Sequence, residues 1–168
     1  EEMVAAMGGG KVANTFWGIN SLGWTEDFDL DLSYNPEKAK EYAAKAKSTE
    51  FTLITSDAYS TLAQVLQEQL RRVGITMNIQ EMDSAGISAA TAWGADHEAV
   101  IYSIATNASG SDMFRLIAYG TAGNRACILD EKDPLYTLQK NSVSTFDEAE
   151  RIKILEELQT YMHDNAIY

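Results

Sequence analysis

The sequence is short of several things at once. Its 168 residues include one cysteine and two histidines, so no intrachain disulfide can form and cysteine usage leaves the redox compartment open. Cys127 lies in NRACILD among apolar neighbours, with no base nearby to activate a thiol, and reads as a small core residue. His97 and His163 stand without partners at metal-ligand spacing, so neither a metal nor a cofactor is expected. Basic residues are scarce: 13 Lys and Arg against 25 Asp and Glu give a net charge of −12. Such a chain lacks the basic footprint that grips nucleic-acid phosphates or an anionic membrane surface. No apolar run approaches the roughly 18 to 20 residues that span a bilayer.

Catalytic motifs are missing too. GGGKVANT matches neither GxxxxGK[ST] nor GxGxxG, and no strand precedes it. There is no GxSxG elbow. The acid pairs Glu156–Glu157 and Glu148–Glu150 fit solvated helical faces better than paired catalytic carboxylates. No catalytic residue is assigned, and the chain is not read as an enzyme. Its start, EEMVAAMGGG, shows no signal-peptide pattern, and YMHDNAIY closes it just as a helical pattern turns apolar. Both ends read as cut from a longer protein.

What is present has clear punctuation. Val12 to Pro36 shows no sustained period and reads as a long ordered loop carrying Trp17, Trp24 and Phe28. Those rings either staple the loop to the body or offer a ligand apolar surface. NPEKAKEYAAKAK predicts a helix with Asn35 as cap, Pro36 first, and a face of Ala39, Tyr42, Ala43 and Ala46. FTLITS predicts a strand. DAYSTLAQVLQEQLRRVG then predicts a helix with Leu62, Val65, Leu66, Leu70 and Val73 on one stripe, stopping at Gly74. ITMNIQEM alternates strictly and predicts a second strand parallel to the first, completing a βαβ unit.

EAVIYSI, Glu98 to Ile104, is continuously apolar and is expected to be the central strand, with a weak helix, SAGISAATAW, before it. A short helix in SDMFRLIAYG ends at Gly120, and another opens at Asp133 and Pro134. The last helix is expected to start on a capping box of Thr145 and Glu148, with a stripe of Ala149, Ile152, Leu155, Leu158 and Met162. The fold class that follows is α/β, a three-layer sandwich.

The most suggestive segment is SIATNASGSDMF, where the apolar strand opens into a loop of small polar residues. In open α/β sheets ligands bind outside the carboxyl ends of the strands. Thr106, Asn107, Ala108, Ser109, Gly110, Ser111 and Asp112, with Trp17 and Trp24, are therefore the candidate ligand-binding residues. Backbone amides, hydroxyls and a helix N-terminus there can hold a carbonyl or carboxylate. Asn107 also suits an Asx-type turn, and Asp112 suits the first turn of the next helix.

From YNPEKAKEYAAKA through LAQVLQEQLRRVGITMNIQEMD the chain resembles the extracellular solute-binding proteins of ABC transporters, family 5, which carry dipeptides, oligopeptides and nickel. TFDEAERIKILEELQTYMHDNA resembles the late helix of that family, with Asp147 and Arg151 at its DxxxR start, and GGGKVAN resembles its GGxxA. The resemblance implies one lobe of a periplasmic-binding-protein type II clamshell. Residues 1–168 would be a single later lobe, without the first lobe or the returning C-terminal segment. It further implies capture of a peptide or similar small polar solute for import, a permease of an ABC transporter as partner, and a monomer. The location implied is periplasmic, or lipid-anchored at the outer face of the cell membrane.

Counting back from Phe114, Asn107 falls where the family's WxADYxxP motif has its acid and Ser111 where it has its proline. A neutral amide cannot make the charge-assisted bond to a peptide ammonium. Two alternatives stay open. One is a hydrolase or transferase using Ser103, Ser109, Ser111 or Asp112; the other is a sensory or docking domain derived from the same lobe.

Overall fold

The computed structural model describes residues 2–10, 15–18, 21–24, 28, 33–101, 103, 116–121, 123–124 and 128–167. The elements in order are α1 (Glu2–Ala6), α2 (Pro36–Ala43), β1 (Glu50–Thr55), a 3-10 turn (Asp57–Tyr59), α3 (Ser60–Arg71), β2 (Thr76–Glu81), α4 (Ser84–Ala90), β3 (Ala99–Val100), α5 (Pro134–Ser144) and α6 (Glu148–Asp164). They fall into two compact units. One comprises Glu1–Val12, Ser33–Thr91 and Ala95–Ser103; the other comprises Ala13–Leu32, Ala92–Gly94 and Ile104–Tyr168.

The first unit holds the expected strand–helix–strand. β1 and β2 are parallel, in register from Glu50↔Thr76 to Thr55↔Glu81. Parallel neighbours need a crossover, and α3 supplies it. Alternation along β2 buries Met77 and leaves Thr76, Asn78 and Gln80 exposed. Met77 joins Leu53 of β1 and Ala63 of α3 in the buried cluster, with Leu66, Leu70 and Ile79 packed against it. The stripe expected on α3 is tilted: Ala63 is its one fully buried residue, while Leu62 and Val65 are only half-buried. Gly74 ends the run at φ +85°, a left-handed conformation that a side chain resists.

Three expectations change in this unit. The sheet order is β2-β1-β3, so among the described residues β1 is the middle strand and β3 lies beside it at the edge. The β1–β3 ladder is two residues long, Leu53↔Ala99 and Ile54↔Val100. It begins no earlier because the Glu98 carboxylate accepts the Thr52 amide (2.8 Å), where a backbone carbonyl would otherwise sit. The apolar character of EAVIYSI thus overstated its pairing; Tyr102 and Ile104 lie outside the described residues. Third, α2 starts as expected, with Asn35 Oδ1 accepting the Lys38 amide at 2.9 Å, but none of its residues is buried and Tyr42 is open. Alanine side chains remove too little apolar area from water to sink a helix.

The second unit is built on α5 and α6. Asp133 caps α5, its Oδ1 accepting the Leu135 amide at 2.9 Å, and Pro134 takes the first position. Leu135 and Tyr136 of α5 and Leu155, Leu158 and Met162 of α6 are buried. The capping box expected at Thr145 and Glu148 is displaced. Asp147 is the cap of α6, its Oδ1 accepting the Glu150 amide at 2.9 Å, while Thr145 closes α5. A carboxylate both accepts that amide and complements the helix dipole, which a hydroxyl does not. Ala149, expected on the buried stripe, is exposed. The helix expected in SDMFRLIAYG lies largely outside the described residues; Gly120 at its end has φ +68°. Trp93, Tyr119 and Tyr136 form successive edge-to-face pairs with centroids 5.2 and 5.0 Å apart.

Candidate functional site

The carboxyl ends of the three strands converge on one residue. Thr55, the last of β1, is fully buried. Its carbonyl accepts the Met82 amide as the chain leaves β2 (2.9 Å), and its Oγ1 donates to the Ile101 carbonyl as the chain leaves β3 (3.3 Å). The Ile101 amide in turn donates to the Ile54 carbonyl at 2.9 Å. This one residue, through its carbonyl and its hydroxyl, thereby links three strand exits. Valine would keep the bond from Met82 but lose the one to Ile101, because only the hydroxyl can donate.

Around that junction the edge is polar. Ser60, opening α3, donates through Oγ to the Glu81 carboxylate at the end of β2. Asp57 accepts the Ala58 amide at 2.8 Å, and Asp83 caps α4 by accepting the Gly86 amide at 2.7 Å. The N-terminal ends of α3 and α4 therefore both face this rim, each accompanied by a carboxylate. Among the described residues no group of three or more His, Cys, Asp and Glu is placed to hold a metal ion. Among the described residues the most displaced carboxyl lies elsewhere. Glu68, on the outer face of α3, is held down to about 2 by hydrogen bonds from the Arg71 and Arg72 guanidiniums. That is a solvent-exposed ion-pair cluster, not an acid–base pair aimed at a substrate.

The loop Thr106, Asn107, Ala108, Ser109, Gly110, Ser111 and Asp112, expected to extend this edge, lies outside the described residues; Ser103 is the last described residue before it. The two tryptophans are described, in the second unit. Trp17 is 3% exposed. Its indole packs so closely over Gly23 that a Cβ there would come 2.1 Å from Trp17 Cδ1. Trp24 is half-buried, its amide donating to the Ser21 carbonyl at 3.0 Å. Trp17 thus staples the loop, and Trp24 is less buried.

The residue that holds this loop escaped sequence reading. Gln159 is fully buried on α6. Its Oε1 accepts the Phe16 amide at 3.0 Å and its Nε2 donates to the Gly23 carbonyl at 3.1 Å. The signal was available: Gln159 stands four residues after Leu155 and three before Met162, on the apolar stripe of α6. An amide at such a position must find partners for both of its ends.

Relatives of known structure and sequence share this architecture. A family model described as bacterial extracellular solute-binding proteins, family 5 Middle, matches residues 1–126. The ABC transporter substrate binding protein CtaP from Listeria monocytogenes aligns with a TM-score of 0.85 at 22% identity, over 99% of this chain and 36% of its own. The oligopeptide-binding protein AppA from Bacillus subtilis, solved in complex with a nonapeptide, aligns at 0.79 and 21% identity, over 100% of this chain and 38% of its own. NikA from Brucella suis, in complex with Fe(III)-EDTA, aligns at 0.79 and 18% identity, over 99% and 38%. The chain therefore spans little more than a third of the length of these structures. No curated protein matches the sequence. The fold is the α/β lobe with a parallel sheet seen in type II periplasmic binding proteins.

Proposed function

The chain belongs to the bacterial extracellular solute-binding proteins, family 5, and from that premise we propose that it captures peptides or similar small polar solutes, outside the cytoplasmic membrane, for import by an ABC permease. The observation that carries the reading is the carboxyl rim of the parallel sheet, where Thr55 ties the exits of all three strands. In an open α/β sheet this rim is where ligands bind. Thr106 to Asp112 follow from it in sequence, and their small side chains and backbone amides suit hydrogen bonding to a peptide carbonyl or carboxylate. Asn107, standing at the acid position of the family's motif, turns the preference away from a free ammonium.

Residues 1–168 act in this reading as one lobe of a monomeric two-lobe protein, exported to the periplasm or held by a lipid at the membrane's outer face. Closure on the solute requires the other lobe. No observation favours hydrolysis or group transfer.

Titration calorimetry of the chain with a peptide library, followed by mass spectrometry of the recovered peptides, tests the proposal. Weak, reversible binding of unchanged peptides is expected. Affinity as high as that of a whole family member would refute the two-lobe account. Cleaved or modified peptides would refute the binding role.

A further inference from the structure

The outer edge of β2, in the first unit, lacks the usual shields. Edge strands are blunted by a lysine, a proline, a bulge or a covering segment, because their open backbone groups pair with any extended chain. Among the described residues β2 is the last strand on its side of the sheet. From Thr76 to Gln80 it has no charged residue and no proline, in a chain of net charge −12. Thr76, Asn78 and Gln80 are exposed.

The ladder fixes which backbone groups stand open on that edge. The Thr76 amide donates to the Thr49 carbonyl at 2.7 Å, and the Met82 amide donates to the Thr55 carbonyl at 2.9 Å. In a parallel ladder the even-numbered residues between them also face β1, so Met77, Ile79 and Glu81 turn their amides and carbonyls outward. One of these carbonyls is occupied. Gln67 of α3 donates from Nε2 to the Met77 carbonyl at 2.7 Å. The helix packs over the sheet through Ala63, against Leu53 and Met77, and Gln67 reaches from its flank to the strand's outer edge.

We propose that Gln67 is an edge guard, which keeps β2 from pairing with β2 of a second copy of this chain. The segment is its own complement. An antiparallel pair centred on Ile79 sets Met77 opposite the copy's Glu81 and Asn78 opposite its Gln80, so no like charges face each other. The two Ile79 residues would exchange both of their bonds, and each Met77 carbonyl would accept a Glu81 amide. That carbonyl is the acceptor Gln67 fills, once in each copy. Lying over the β1–β2 pair, the two α3 helices would stand two strand spacings, about 10 Å, apart, an ordinary helix-packing distance. Sterics alone therefore leave the pairing open, and the side chain closes it.

Sedimentation velocity across a concentration series tests the guard. The unaltered chain should remain a monomer. Gln67→Leu keeps a good helix former and loses the donor; it should reach twice the monomer mass as concentration rises, with the Ile79 and Glu81 amides gaining protection from hydrogen exchange. Gln67→Lys still donates and brings a charge to the edge, and should stay monomeric. Adding Asn78→Lys and Gln80→Lys to Gln67→Leu sets lysines opposite each other across the pair and should restore the monomer.

A folded Gln67→Leu chain that stays monomeric would overturn the guard, and so would an unaltered chain already paired through β2. A Gln67→Leu dimer that survives the two lysines would have formed through the new leucine, and would overturn it as well. One reading needs no variant. In the unaltered chain a Gln67 side-chain amide proton should exchange slowly with solvent; fast exchange of both protons would show the Met77 carbonyl unguarded and overturn the proposal.

Discussion

The two units satisfy their buried backbone in different ways. In the first, the ladder does it: β1 pairs with β2 over six residues, and the core beneath is a cluster of Leu53, Ala63 and Met77. In the second, two helices satisfy their own backbone and side chains serve segments outside them. Gln159 serves Phe16 and Gly23, and buried Asn124 donates to the Ala118 carbonyl and to the Tyr136 hydroxyl, which donates to the Ile128 carbonyl. A ladder is periodic and tolerates substitution along its length, because each bond resembles the next. A side-chain clamp is a single arrangement, and one altered group leaves a buried donor or acceptor unmet. Stability in the first unit should therefore follow apolar volume, and in the second it should follow particular polar atoms.

The largest expected effect is in the first unit. Met77→Ala empties a site that is 1% exposed and should cost about 3 kcal/mol, as buried Met-to-Ala changes do. All three tryptophans, Trp17, Trp24 and Trp93, lie in the second unit. In urea unfolding of Met77→Ala, tryptophan emission thus reports the second unit, while far-ultraviolet circular dichroism reports the helices and strands of both. Coincident transitions would make them one cooperative body and erase the comparison; an early dichroism transition with unmoved emission would sharpen it.

Gly23→Ala comes next. The new methyl meets the Trp17 indole well inside van der Waals contact, and overpacking of this kind costs about 2 kcal/mol. Here the emission transition should move first. An unchanged emission midpoint would mean that the loop shifts freely and that the clamp is not rigid.

A smaller effect separates the two candidate caps of α6. Asp147→Ala should cost about 1 kcal/mol, the usual worth of an N-cap, while Thr145→Ala should change little. The reverse ranking in thermal melts would restore the Thr145 capping box and remove Asp147 from its place.

The smallest is a pH effect. Burial, together with the hydrogen bond to the Asp133 carboxylate, pushes the Tyr161 phenol above its ordinary value of 10.0. The folded state therefore holds this proton more tightly than the unfolded one. The bond's stabilisation is complete below pH 10 and is lost as pH rises through the raised value. Tyr161→Phe should flatten that alkaline decline in melting temperature; equal declines in both proteins would show that the phenol contributes nothing to it.

The sequence by itself settled the elements whose signals repeat locally. The alternation of ITMNIQEM, the stop at Gly74, the Asn35 and Asp133 caps and the β1–α3–β2 crossover all depend on residues within a few positions of one another. Hydrogen bonds and steric limits at that range permit few alternatives. Membership of the solute-binding family was readable for the same reason, as an ordered series of such local units. Tertiary structure alone decided the place of β3 beside β1, the shift of the α6 cap to Asp147, the burial of Trp17 on Gly23, and the roles of Thr55 and Gln159. Those outcomes turn on which distant partner a polar group meets: Gln159 is 136 residues from Gly23 along the chain. A lone threonine or glutamine looks the same in sequence whether it faces water or clamps a loop, because its chemistry is set by what the fold brings to it.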